Sequence, residues 1–181
     1  MRSVNRKVNN SDYGTIIKFG NLELFVEKLK IEGNCIEESV NSIDKDDISL
    51  LEKSLISRKF DIANFLLDSG AKVNIISIDE CNELHYLAAN INCPGAVDVA
   101  CRLVDMGIDL NLKDKKNGNS AIWSLCQEVL KKRTKEGNDL IVKCLGKQPN
   151  INDENKSGYS LRYLIEERGT EDMKKALEVM S

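Results

Sequence analysis

Little in the 181 residues punctuates the chain: there are two prolines, Pro94 and Pro149, and aromatic residues make up only 5%. A β-sandwich draws on more aromatic side chains and more Gly/Pro punctuation, whereas helix tolerates this composition, so the bias is toward helix. A basic excess is also missing. With 26 Lys+Arg against 29 Asp+Glu the formal net charge is -3, which argues against a dedicated nucleic-acid surface and leaves either sign of protein partner open. No apolar run approaches the ~20 residues that span a bilayer. The charged start, Met1-Arg2-Ser3-Val4-Asn5-Arg6-Lys7, lacks the apolar stretch of a secretory signal. A cytoplasmic protein with no membrane partner is expected, with residues 1–10 as a flexible tail.

Metal and cofactor chemistry find little to stand on. Six cysteines occur (Cys35, Cys81, Cys93, Cys101, Cys126, Cys144), but no Cys-x-x-Cys pair, and His85 is the one histidine. A zinc site needs clustered ligands at fixed spacing, and disulfide frameworks belong to small secreted scaffolds. The thiols read as reduced, small core residues. Gly14, Gly20 and Gly33 are scattered and assemble no phosphate-binding loop. Neither a metal nor a cofactor is expected.

What is present is a folded composition, 41% hydrophobic and 30% charged, arranged in a repeat. Each unit reads as a short apolar helix, a turn, a second apolar helix opening near an Asp, a stop, and an apolar-Asn pair. Leu50, Leu84, Ile122 and Leu161 recur at intervals of 34, 38 and 39 residues, and Ile36, Val73, Leu110 and Ile151 at 37, 37 and 41. Asp61, Asp98 and Asp139 stand where a carboxylate meets the positive end of the second helix. Gly70 and Gly107 follow the last apolar turn, where a left-handed residue ends a helix, and Gln148 stands at the same place in the fourth unit. Ile62, Ala63, Leu66 and Leu67 form the apolar stripe of one second helix. A single pair of such helices cannot bury both faces, so the units must stack.

The strings Gly70-Ala71-Lys72-Val73-Asn74 and Leu84-His85-Tyr86-Leu87-Ala88 resemble the ankyrin repeat family, whose units start Thr-Pro-Leu-His-x-Ala and end Gly-Ala-x-Val-Asn. The resemblance implies an all-α, ankyrin-like helix-turn-helix solenoid with short β-hairpin finger loops. It implies one domain over residues 11–181, in repeats of approximately 11–42, 43–79, 80–114, 115–153 and 154–181. It also implies a structural role for His85, bonding to a neighbouring loop backbone, and a protein-binding surface on the fingertips and the exposed face of the first helices.

Carried over by position, that surface comprises Glu52, Asp79, Glu80, Tyr86, Asn90, Lys115, Lys116, Asn117, Ser124, Glu128, Glu154 and Tyr163, with Tyr86 and Tyr163 as expected anchors. Trp123 replaces the family His and is assigned to the core. Asn117-Gly118 is a tight-turn signal that displays Lys113, Lys115 and Lys116. The other fingertips read as acidic: Asp44, Asp46 and Asp47, then Asp79 and Glu80, then Asp153 and Glu154. Mixed charge along such a row suits protein recognition better than phosphate contact. The expectation is a non-catalytic module, monomeric when unbound, that binds or sequesters one partner protein. Alternatives are an immunity or antitoxin-type protein neutralising a cognate toxin, and a small enzyme using His85 with Cys101.

Overall fold

A computed structural model describes residues 10–33 and 36–180. The expected tail at 1–10 lies outside these except for Asn10, as does Cys35. Among the described residues there are eleven helices and no strand: α1 (Tyr13–Phe19), α2 (Leu22–Glu32), α3 (Ile36–Val40), α4 (Leu50–Ile56), α5 (Phe60–Asp68), α6 (Glu83–Ala88), α7 (Ala96–Asp105), α8 (Ala121–Lys132), α9 (Lys135–Leu145), α10 (Leu161–Arg168) and α11 (Glu171–Glu178). None is long and apolar enough to cross a membrane.

The helices form two files. α1, α4, α6, α8 and α10 pack each on the next, and α2, α5, α7, α9 and α11 do the same. Rungs α1/α2, α4/α5, α6/α7, α8/α9 and α10/α11 join the files. One core runs between them, from Ile17 and Phe25 through Leu55, Leu66, Leu87 and Leu103 to Leu125, Ile141, Ile165 and Met173. Each helix presents a single apolar stripe, so burying both sides of it requires neighbours above and below.

Short polar side chains start every helix of the first file. Asp12, Ser49, Asn82, Ser120 and Ser160 accept the backbone N–H groups of Thr15, Glu52, His85, Trp123 and Tyr163, three residues on. These caps satisfy N–H groups that a helix leaves without an internal partner. They also set the register. Leu51, not Leu50, is the counterpart of Leu84 and Ile122, each second after its cap and buried.

The second-file helices start differently from expectation in one case. Asp61 and Asp98 lie in the first turns of α5 and α7, but Asp139 lies well inside α9 and pairs with Lys135 at 3.0 Å. Thr134 caps that helix, accepting the Gly137 N–H at 3.2 Å. The left-handed Arg133 (φ 54°) ends α8 immediately before it, so the helix begins earlier than the Asp predicts.

Gly70 and Gly107 adopt the expected left-handed conformation, φ 84° and 81°, and Gln148 adopts it in the fourth unit, φ 55°. The apolar-Asn pairs that follow are cross-unit ties. Asn41 Oδ1 accepts the Lys72 N–H at 2.7 Å, Asn74 Oδ1 the Asp109 N–H at 2.6 Å, and Asn111 Oδ1 the Asn150 N–H at 2.7 Å. The first pair is therefore Val40-Asn41. Ile36, expected there, instead opens α3 and is exposed, whereas Val40 is buried.

Candidate functional site

Four loops stand in a row before α4, α6, α8 and α10, and backbone hydrogen bonds stitch each to the next. The Ile78 N–H donates to the Asp46 carbonyl at 3.3 Å, Lys115 to Asp79 at 2.9 Å, and Lys156 to Asn117 at 2.9 Å. Single antiparallel bridges close three of them, Ile43–Ser49, Lys113–Ser120 and Glu154–Ser160. The expected β-hairpins shorten to these bridges because side chains take the N–H groups inside the loops. Asp44 Oδ1 accepts from Asp46 and Ile48, Asp114 accepts from Asn117 and Asn119, and Asn155 Oδ1 accepts from Ser157 and Tyr159. Such Asx turns compete with ladder pairing.

The fingertips differ in chemistry. Asp47, Asp79 and Glu80 are exposed in the first two loops, and Lys115, Lys116 and Asn117 are exposed in the third. In the fourth loop Lys156 and Ser157 occupy the tip. Asp153 and Glu154 precede it: the Glu154 backbone is held in the closing bridge, and Lys113 Nζ reaches the Glu154 carbonyl at 2.9 Å and the Asp153 carboxylate at 3.6 Å. The row thus runs from acidic to basic, and the expected acidic fourth tip is a lysine.

On the first-file helices, Tyr86, Ser124 and Glu128 are partly exposed and Tyr163 is 48% exposed. The Tyr86 hydroxyl donates to Ser77 Oγ at 2.8 Å, tying α6 to its own loop. Glu128 pairs with Lys131 at 2.6 Å. Tyr163 stacks on Tyr159 of the fourth loop, ring centroids 5.2 Å apart, so two exposed tyrosines form one platform.

Two residues expected on this face are buried. Asn90 holds neighbouring units together: its Oδ1 accepts the Arg58 Nε–H at 2.8 Å, and its Nδ2 donates to the Leu55 and Ile56 carbonyls. Glu52 is wholly buried. One carboxylate oxygen accepts the Ser49 N–H at 2.6 Å to complete a capping box, while the other has no hydrogen-bond partner. Burial raises its pKa to about 7, with the charge of Glu83 adding to the shift. Glu83 is buried too and raised for the same reason, although it accepts the Asn74 and Ile75 N–H groups. Carry-over by position from the repeat resemblance assigned Glu52 and Asn90 outward, but Glu52 turns into the capping box at the start of its own helix and Asn90 onto the end of α4.

His85 takes the third position after its cap, as Glu52 and Trp123 do. Its Nε2 lies 3.2 Å from the Asn119 carbonyl of the next loop, which only accepts, so Nε2 carries the proton. Nδ1 then accepts the Asn82 N–H at 3.3 Å. Burial lowers the imidazole pKa. Cys101 belongs to α7, where burial raises its thiol pKa. Cys81, Cys93, Cys101, Cys126 and Cys144 are free thiols, and no group of metal-binding side chains occurs among the described residues. Trp123 is partly buried against the core.

Ile43, Ile76 and Ile78 lie exposed on the first two loops, at 54%, 50% and 51%. They belong to no helical stripe, and that offset from the helical period is the one trace of them in the sequence.

No family model and no curated protein matches the chain. Among solved structures it is similar to a chain in that of the predatory endopeptidase Bd0816 from Bdellovibrio bacteriovorus in complex with immunity protein Bd3460. The identity is 16%, the match covers 94% of this chain and 81% of that one, and the TM-score is 0.65. At that identity the likeness is one of fold.

Proposed function

We propose that this chain is a non-catalytic, cytoplasmic protein-binding module of ankyrin-like solenoid form, and that it acts as an immunity-type protein occluding a cognate toxin. The observation that carries the reading is the fold likeness to a structure containing an immunity protein bound to an endopeptidase. The surface supports it. Stitched loops present fixed side chains of both charge signs, and the Tyr159–Tyr163 platform and Tyr86 supply amphipathic anchors of the kind that dominate interface energetics. Binding is assigned to the loop row together with the exposed face of the first-file helices. Asp79, Glu80, Lys115, Lys116, Asn117, Glu154, Tyr86, Ser124, Glu128 and Tyr163 contribute. Glu52 and Asn90 support that surface from beneath.

The ankyrin-like reading rests on the helix pairs, the left-handed exits at Gly70 and Gly107, and the His85 bond to the next loop. The non-catalytic reading rests on that bond and on the Asn82 N–H at Nδ1, which together commit both ring nitrogens of His85 to the scaffold. The five free thiols among the described residues suit a reducing compartment.

The test is co-expression with each secreted hydrolase of the source organism, scored by growth. Rescue against one hydrolase is expected, together with a one-to-one complex by size-exclusion chromatography. Failure to rescue against every one of them overturns the immunity reading.

A further inference from the structure

The first two loops carry an apolar patch that the fold does not use. Ile43, Ile76 and Ile78 are each about half exposed, and the Ile78 N–H bond to the Asp46 carbonyl holds their loops side by side. Isolated surface isoleucines are ordinary, but a cluster on adjacent, hydrogen-bonded loops marks a contact surface. The patch ends sharply. At the positions of Ile76 and Ile78 the third loop has Lys113 and Lys115, and the fourth has Glu154 and Lys156.

Around the isoleucines stand Asp46, Asp47, Asp79 and Glu80. None of the four enters an ion pair among the described residues. Asp44, the other acid of the first loop, is already paired with Lys53 at 2.9 Å. Two exposed cations stand by: Lys45 shares the first loop, and Lys115 Nζ of the third loop reaches the Ile78 carbonyl at 3.5 Å. Four acids against two cations leave the patch net negative, and the acids flank an apolar strip. A partner that covers the isoleucines brings its own charge within reach of four carboxylates outside any ion pair, so like charge is rejected and cations are favoured.

We infer that the first two loops dock a partner segment in which Lys or Arg alternates with large aliphatic side chains. The aliphatic groups cover Ile43, Ile76 and Ile78, and the cations face Asp46, Asp47, Asp79 and Glu80. This rests on the reading of the chain as a protein-binding module and names the chemistry of the partner at one half of that surface.

The experiment uses the full chain with isoleucine methyl groups labelled for NMR and three synthetic octapeptides: alternating Lys/Leu, alternating Glu/Leu and alternating Lys/Ser. The Lys/Leu peptide is expected to shift the methyls of Ile43, Ile76 and Ile78, with both controls binding at least fivefold more weakly. The pair Asp79→Lys with Glu80→Lys should weaken the Lys/Leu peptide at least tenfold while leaving the buried methyls of Ile62 and Ile122 unmoved. Equal binding of the Glu/Leu peptide, or shifts confined to other isoleucines such as Ile31 and Ile56, overturns the inference. Against a hydrolase found by co-expression, the triple change Ile43→Ser, Ile76→Ser and Ile78→Ser should lower affinity at least tenfold. Unchanged affinity there sinks the docking surface and leaves the protein-binding reading standing. Peptide binding at the three methyls without rescue against any hydrolase sinks the immunity reading and leaves the docking surface.

Discussion

Asn90 closes a bond to Arg58 across two units of the chain, with the amide oxygen 2.8 Å from the Arg58 Nε. Its nitrogen donates to the Leu55 carbonyl at 3.0 Å, at the C-terminal end of α4, where helix carbonyls lack internal partners. One buried amide therefore ties the end of one helix to a cationic side chain and to the next unit.

Replacing Asn90 by Ala removes a side-chain donor from the Leu55 and Ile56 carbonyls, of which Leu55 still accepts the Arg58 N–H at 3.3 Å, and turns the exposed Arg58 guanidinium to water. The expected loss is about 1–2 kcal/mol, since the bonds of a buried amide go while its former partners find a backbone donor or water. At this chain length that lowers Tm by roughly 2–8 °C. Thermal unfolding of Asn90→Ala beside the exposed control Glu154→Ala, which should change little, checks it.

Glu52 makes stability depend on pH. Its pKa rises from 4.5 to about 7 on folding, so the folded chain keeps a proton that the unfolded chain releases. The contribution is complete below about pH 4.5 and is lost as pH climbs through 7, by up to about 3 kcal/mol. Glu83, also raised, acts in the same direction, whereas His85, lowered, contributes stability that is lost on acidification. Glu52→Gln isolates the first effect: a glutamine keeps the capping box and carries no charge. Urea unfolding at pH 5 and pH 8 should show the variant gaining on the parent by about 1–3 kcal/mol over that interval.

Gly118 is the point where two loops touch. Its φ is 67°, and a Cβ there would stand 3.1 Å from Lys156 Cγ and 3.3 Å from the Lys156 nitrogen. Gly118→Ala combines left-handed strain with a push against the strand of chain that donates to Asn117, at a cost of about 1–2 kcal/mol. Hydrogen exchange should show the Lys156 amide losing protection while the amides of α6 keep theirs.

Tyr163 separates binding from folding. It is half exposed and rests on Tyr159, so Tyr163→Ala should change stability by no more than about 0.5 kcal/mol. Affinity for a neutralised hydrolase should fall by about 2 kcal/mol, as expected for an interface tyrosine. Calorimetry of the complex beside thermal unfolding of the free chain reads both.

Lys115→Glu with Lys116→Glu reverses the basic end of the loop row and keeps the Asp114 bonds that close the third loop, at the cost of one long Lys115 Nζ bond to the Ile78 carbonyl at 3.5 Å. Tm should hold, and the association rate with the hydrolase should fall severalfold at low salt and less at high salt.

Much of the architecture is legible in the sequence because it is local. An apolar stripe, a short polar cap and a left-handed exit are each written within a few residues, and Gly70 and Gly107 adopt the expected conformation. Ser49 and Glu52 even spell a capping box, S-x-x-E, at its usual spacing. What sequence periodicity leaves open is which side of a helix meets another unit. Glu52, His85, Trp123 and Tyr163 all stand third after a cap. The first is wholly buried, the second bonds the loop of the next unit, the third is partly buried against the core and the fourth is exposed beside Tyr159. Likewise, stitching of the loops turns scattered isoleucines and acids into one patch. Local sequence thus determined the helices and their ends, and only stacking decided burial, because burial depends on atoms contributed from some 30–40 residues away.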